Sequence, residues 1–168
     1  MEFPTIFPAI DSIGSEKRIT RRLRKYWNYL REDRQFPEEK EINPSDLTDI
    51  WNNCFIVKAD NSCKKEDYKY KYLGVNIIRA YGHDLTGLNV SSLAAPGAEA
   101  LSEKYEQVLA FKRPVIDEGE INISKNKIVK YRQILLPFGD FGVHITAILG
   151  GMSYKIIEKK SRFSLFGK

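Results

Sequence analysis

The fold is decided by residues 115–153, which read VIDEGEINISKNKIVKYRQILLPFGDFGVHITAILGGMS. Polar, turn-forming residues at 124–127 and around 138–140 divide this stretch into three β-rich segments. In the last segment apolar residues recur at every second position, as in a strand that buries one face. The stretch therefore predicts three antiparallel strands, at 115–123, 128–136 and 141–153.

Upstream of these strands the pattern changes from alternation to helical spacing and back. Apolar residues at 96–112 share one helical face, and Pro114 follows the end of that segment. The order of elements predicts an α+β fold, a five-stranded antiparallel sheet with helices on one face. The remaining predicted elements are a short helix at 43–51, a hairpin of strands at 54–59 and 68–72, and a helical segment at 74–81.

An amphipathic helix is predicted at 16–34, ahead of the sheet and after an irregular arm at 1–15. Its first half is crowded with cations, which oppose the helix dipole. Its apolar stripe predicts a contact with a partner or with a second copy of the chain, through Ile19, Leu23, Trp27 and Leu30. The remaining divisions are a central domain at 35–154 and a basic tail at 155–168.

Charge is distributed unevenly along the 168 residues. Residues 1–34 have a net charge of +3 and residues 155–168 of +4, so the total of +5 leaves −2 for the central domain. That domain has no excess of cations to attract a phosphate backbone, and specific nucleic-acid binding is not expected. Two cysteines are too few for a disulfide framework, which favours a reducing, cytoplasmic compartment.

Four short strings resemble a family of bacterial single-PAS-domain proteins, which are largely uncharacterised. The strings are Tyr26-Trp27, YKYLG at 70–74, YGHDLTG at 81–87 and LLPF at 135–138. The resemblance extends from about residue 22 to 154 and implies the PAS fold and a role in signalling. The family often has Arg where Lys69 or Lys71 stands here, and Lys lacks the planar fork with which Arg recognises anions.

Catalytic and cofactor motifs are weak in this sequence. Asp140-Phe141-Gly142 lacks the other kinase motifs, and Gly150-Gly151 lacks the Lys and the helix of a phosphate loop. Neither lone His144 nor the carboxylates of Glu118 and Glu120 indicate an acid–base site, because a structural histidine and a solvated strand face explain them better. No enzyme activity and no metal site are predicted.

The resemblance also bears on cofactors. Haem-binding PAS domains commonly carry a histidine on the long helix, which is absent from 96–112. Flavin-adduct PAS domains carry a reactive cysteine in the short helix after the second strand, and neither Cys54 nor Cys63 lies there. Haem and a flavin adduct are therefore disfavoured, and an unknown small ligand is the remaining expectation.

Such a ligand would lie between the helices and the sheet. Nine residues are predicted to line that space: Phe55, Val57, Tyr70, Tyr72, Ile77, Leu101, Tyr105, Gln133 and Leu135. The same residues would equally form a closed core. Buried Tyr hydroxyls and a buried Gln amide need polar partners, which is the argument for a ligand.

Two functions follow as hypotheses. The first is a non-catalytic sensor and interaction module that contacts a signalling protein, with a small ligand in its interior and homodimerisation left open. The second is a membrane-peripheral or nucleic-acid-associated adaptor that uses the basic flanks for weak contact with anionic surfaces.

Overall fold

The computed structural model describes residues 15–59, 68–93 and 99–159. The predicted arm at 1–15 lies outside the described residues apart from Ser15. So do the turn predicted at 60–65, the first three residues of the helical segment predicted at 96–112, and the tail beyond Lys159. Three α-helices and five strands are described: α1 Ser15–Arg31, β1 Cys54–Lys58, β2 Lys69–Leu73, α2 Val75–Tyr81, α3 Glu99–Phe111, β3 Val115–Ser124, β4 Lys127–Asp140 and β5 His144–Glu158. Short 3-10 turns lie at Glu39–Glu41, Pro44–Leu47, Trp51–Asn53 and Val90–Ser92.

The strands form one antiparallel sheet in the order β2-β1-β5-β4-β3. β5 is central, because it pairs with β1 on one side and with β4 on the other. The register places Gly150 between Phe55 of β1 and Leu135 of β4, and Leu135 in turn faces Val115 of β3. This register decides which side chains share a face of the sheet.

A hydrophobic core lies on each face of the sheet. The inner core joins α2, α3 and the inward side chains of the strands, including Ile77, Tyr105 and Leu135. The outer core lies beneath α1, where Leu23 and Phe138 are fully buried. The sheet is therefore covered on both faces, with α2 and α3 on one and α1 on the other.

Gly150 and Gly151 let both layers approach the central strand. A Cβ at Gly150 would lie 2.1 Å from Cζ of Phe55, whose ring covers this position in the inner core. A Cβ at Gly151 would lie 2.2 Å from Cδ1 of Leu23 on α1. Because neither glycine has a side chain, Phe55 and Leu23 can pack directly against the β5 backbone on opposite faces of the sheet.

Several predicted elements differ from the structure, and the last strand, expected at 141–153, spans His144–Glu158. The helix expected at 43–51 is replaced by two 3-10 turns, although Asn43 does cap the first turn by accepting from the Ser45 amide at 3.1 Å. The turn expected at 138–140 lies later, since β4 continues to Asp140 and includes Pro137. β3 pairs with β4 only up to Leu135, so Pro137 has a strand neighbour on one side alone and its missing N–H is tolerated.

Candidate functional site

Eight of the nine residues predicted to line an interior site are buried on the inner side of the sheet. Seven of them belong to the inner core: Phe55, Val57, Tyr70, Ile77, Leu101, Tyr105 and Leu135. Gln133 is fully buried beside them, paired in register with Met152 of β5. The five strand residues among these eight share the inner face of the sheet, and the other three face it from α2 and α3.

Tyr72 is the exception, because β2 contains a bulge. Ile56 pairs with Tyr72 and Val57 pairs with Tyr70, so Lys71 is an extra residue that interrupts the alternation. Tyr72 consequently faces the outer side, where its ring stacks on Trp51 at 4.5 Å and its hydroxyl donates to the Trp51 carbonyl at 3.1 Å. The prediction that Tyr72 lines the interior was wrong.

A buried carboxylate organises one side of the interior. Tyr131 donates its hydroxyl proton to Asp117 Oδ2 at 3.1 Å, and Gln133 Nε2 donates to the same oxygen at 3.0 Å. Lys104 on α3 places its Nζ 4.0 Å from the other oxygen, Asp117 Oδ1. Burial, together with the nearby Asp117 charge, holds the pKa of the Tyr131 hydroxyl above its ordinary value.

Four polar atoms in this interior have no hydrogen-bond partner among the described residues. They are the hydroxyl oxygens of Tyr70, Tyr81 and Tyr105 and the Oε1 oxygen of Gln133. The three hydroxyls lie close together, and hydrogen-bond interactions of Tyr70 with Tyr81 and Tyr105, weaker than well-formed hydrogen bonds, contribute to the pKa shifts of all three; Tyr105 also experiences the Asp117 charge. We name the six side chains of this region the interior polar cluster: Tyr70, Tyr81, Tyr105, Asp117, Tyr131 and Gln133.

Burial determines the chemistry of these tyrosines. It raises the pKa of Tyr70, Tyr81 and Tyr105 well above the ordinary value of 10.0, because water does not reach the phenolate that ionisation would create. The hydroxyls therefore remain protonated at neutral pH. Each can donate one hydrogen bond and accept others, which suits recognition of a polar molecule.

Sequence reasoning missed Tyr81, Asp117 and Tyr131. Tyr81 follows Ile77 by four positions and shares its helical face, which was a usable signal. Asp117 lies two residues from the inward Val115 and was overlooked because two further acids, Glu118 and Glu120, follow it in the same strand. An acid in phase with the apolar residues of a strand was the indication that it is buried.

The apolar stripe of α1 is used within the chain. Ile19, Leu23 and Trp27 are 2%, 0% and 4% exposed in the outer core, and Leu30 is half-buried at its edge. Trp27 Nε1 also donates to the Pro137 carbonyl at 2.8 Å. This corrects the expectation that the stripe is free for a partner, because the outer face of the sheet already covers these side chains.

The cations of α1 are only partly solvated. Arg22 is 8% exposed, donates to the Asp46 carbonyl at 2.5 Å and lies 3.3 Å from Asp49 Oδ2. Arg21, Arg24 and Lys25 are exposed. The adaptor hypothesis for the basic flanks stays a prediction, since residues 160–168 lie outside the described part of the chain.

The other groups singled out in the sequence lie apart from the interior. Glu118 pairs with Arg132 at 3.1 Å and Glu120 with Lys130 at 3.3 Å, across an open groove of about 350 Å³. His83 and His144 are exposed.

Cys54 is buried in the outer core, where burial raises its thiol pKa, and Cys63 lies outside the described residues. Within the described ranges no three His, Cys, Asp or Glu side chains are grouped as metal ligands would be. None of the described helices is long and apolar enough to cross a bilayer.

Comparison with known proteins gives one family. The family described as PAS domain matches residues 15–153, a range that includes α1. Among solved structures, the PAS domain of BvgS from Bordetella pertussis is similar over 87% of this chain and 92% of that chain, with 15% identity and a TM-score of 0.41. No curated protein matches the chain.

Proposed function

The chain belongs to the PAS domain family, and from that premise we propose that it is a sensor module whose interior polar cluster recognises a small polar ligand. The observation that carries the proposal is the buried acceptor Gln133 Oε1, which has no partner, beside the hydroxyls of Tyr70, Tyr81 and Tyr105, which make no well-formed hydrogen bond and interact weakly with one another. A buried group without a partner destabilises a fold by about 1–3 kcal/mol. A ligand that supplied the missing hydrogen bonds would remove that penalty.

The chemistry of the cluster favours a ligand with both donors and acceptors. Gln133 Oε1 can only accept, whereas the tyrosine hydroxyls can do either. Gln133 Nε2 is already engaged by Asp117, so this amide offers the ligand its oxygen alone. An anionic ligand would approach the Asp117 carboxylate unfavourably, and we propose that the ligand is not an anion.

The side chains of the interior polar cluster are better suited to binding a ligand than to catalysing a reaction. Their raised pKa values keep the tyrosines neutral, so they are poor bases and poor nucleophiles at pH 7. We therefore propose that the module acts by changing its contact with a signalling protein when the ligand binds. Haem and flavin adducts remain disfavoured, since α3 carries no histidine and Cys54 faces the outer core.

The proposal is tested by removing single hydroxyls. We expect Tyr105→Phe to leave the ligand-free protein as stable as wild type or more stable, because the change deletes a desolvated hydroxyl that makes no well-formed hydrogen bond. Tyr154→Phe is the matched control: its hydroxyl donates to the Asn76 carbonyl at 2.6 Å, and its loss should lower the free energy of unfolding by about 1 kcal/mol. Urea denaturation measures both variants.

Native mass spectrometry supplies the second readout. Wild type and Tyr154→Phe should retain the same non-protein mass after mild purification, and Tyr105→Phe should lose it. The proposal is overturned if wild type carries no such mass, or if Tyr105→Phe is destabilised as much as Tyr154→Phe. The second result would mean that the chain or buried water already satisfies the Tyr105 hydroxyl.

A further inference from the structure

The turn between β4 and β5 holds an aromatic ring in solvent on a backbone that bulky residues avoid. The Val143 amide donates to the Asp140 carbonyl at 3.0 Å, and the two central residues, Phe141 and Gly142, have φ of +52° and +67°. Such a turn favours Asn, Asp or Gly, because a Cβ is strained at positive φ. Phe141 is 87% exposed, so no burial of its ring offsets this strain.

Further apolar groups and two cations lie at the same end of the molecule. Lys112 Nζ donates to the Val143 carbonyl at 3.4 Å, which places the end of α3 beside the turn. Phe111 and Val143 are 53% and 54% exposed, and the Arg113 guanidinium lies 5.3 Å from the centre of the Phe111 ring. We name this surface the hairpin tip; it consists of Phe111, Lys112, Arg113, Phe141 and Val143.

We propose that the hairpin tip docks on an anionic membrane surface, with Phe141 inserted at the level of the headgroups. The ring stands on the turn between β4 and β5, while Lys112 and Arg113 follow the end of α3, and Lys112 reaches the same turn. This arrangement matches a bilayer interface, where an aromatic ring enters the acyl boundary and cations meet lipid phosphates.

Charge at the turn supports the choice of an anionic surface. Asp140 is the acid of the turn, and Glu38 lies beside the neighbouring Gly139; Lys40 pairs with Glu38 at 3.0 Å and also interacts with Asp140. Lys112 and Arg113 therefore add positive charge beside the apolar side chains of the tip. A protein partner would instead need a broad complementary area, which a single projecting turn does not provide.

The test is flotation of the full chain with vesicles of equal parts phosphatidylcholine and phosphatidylglycerol, compared with pure phosphatidylcholine. Wild type should bind the anionic vesicles, and less strongly as salt is raised. Phe141→Asn should weaken binding about tenfold because the inserted ring is lost. The same variant should have a higher melting temperature, since Asn relieves the strain at positive φ.

Two controls make the result specific. Ile156→Thr removes an exposed apolar side chain at the opposite end of β5 and should leave vesicle binding unchanged. Phe141→Gly preserves the turn without any side chain and should behave like Phe141→Asn. The proposal is overturned if wild type does not float, if both Phe141 variants float like wild type, or if binding ignores lipid charge. Undiminished binding of the variants would assign the membrane contact to the basic flanks.

Discussion

Position 150 must be glycine because the ring of Phe55 occupies the space of a side chain there. An added Cβ would meet three ring carbons of Phe55 at 2.1–2.5 Å. The Phe55 ring is 1% exposed and is held by the inner core, so it cannot swing into solvent. Since the two residues are also register partners, neither strand can shift without breaking the pairing of β1 with β5.

Gly150→Ala is therefore expected to lower the free energy of unfolding by about 1–3 kcal/mol through overpacking. Phe55→Leu alone leaves a cavity and also destabilises the protein. In the double variant the smaller Leu makes room for the added methyl, so its loss should be less than the sum of the single losses. Urea denaturation of all four proteins measures this coupling. Additive losses would show that the ring and position 150 do not compete for space.

At this scale the sequence predicted the inward residues well, except where the backbone departs from regular alternation. Tyr70 and Tyr72 are two residues apart, which predicts the same face. The bulge at Lys71 depends on pairing between β1 and β2, a tertiary property with no local signal in the sequence. Leu73 returns to the inner core because of the same extra residue.

Among the elements, the 3-10 turn at Glu39–Glu41 is fixed to the sheet by one side chain. Glu39 accepts hydrogen bonds from Lys71 of β2 and from Thr146 Oγ1 of β5. Burial alone would raise the pKa of the Glu39 carboxyl, but these two hydrogen bonds outweigh it and hold the pKa below 4.5. The ionised form is thus the one that holds the turn against the outer face.

This lowered pKa predicts a pH dependence with a definite sign. A carboxyl whose folded-state pKa is depressed stabilises the fold above its unfolded pKa and loses that contribution as pH falls through the folded value. Glu39→Gln should therefore be less stable than wild type at pH 7, and the difference should shrink below about pH 4. Urea denaturation across this range checks it. A stability difference between Glu39→Gln and wild type that stayed constant with pH would contradict the role given to the ionised Glu39 carboxylate. Glu118→Gln, on the solvated strand face, is the control.

The types of most elements could be predicted from periodicity, and their ends less well. Asn43 and Pro44 correctly marked the start of a helical turn, yet the helix does not continue to residue 51. Leu47 and Ile50 are buried in the outer core, and packing there favours two short 3-10 turns over one regular helix. β4 exceeds its prediction because Pro137 is tolerated beside the end of β3.

For the whole molecule, the deciding feature is that α1 covers the outer face of the sheet. Cys54 lies in the outer core and pairs in register with Gly151, which Leu23 of α1 covers. Burial raises the pKa of the Cys54 thiol, so both access and ionisation are suppressed in the folded state.

Alkylation of Cys54 should consequently report unfolding of the whole domain. In a Cys63→Ser background, iodoacetamide should leave native Cys54 unmodified and label it in urea, as measured by intact mass. Leu23→Ala should accelerate native-state labelling because it opens the space above Gly151. Arg24→Ala, an exposed change on the same helix, should not. Rapid labelling of Cys54 in the native Cys63→Ser protein would mean that α1 does not protect this face.

The order of elements and the PAS fold could be predicted from the sequence, but the position of α1 could not. An apolar stripe shows that a helix buries one face without showing against what. From the sequence alone, Ile19 and Leu23 are compatible with either a partner contact or a contact within the chain. The structure shows that both lie over Gly151 of the sheet.

The glycine pair of β5 has a consequence for the dimensions of the molecule. At Gly150 the inner ring of Phe55 rests directly on the backbone, and at Gly151 Leu23 rests on it from the other side. At these two adjacent positions no side chain of β5 stands between its backbone and the layer above or below. The Phe55 ring and the Leu23 methyl groups are therefore separated there by little more than the β5 backbone itself.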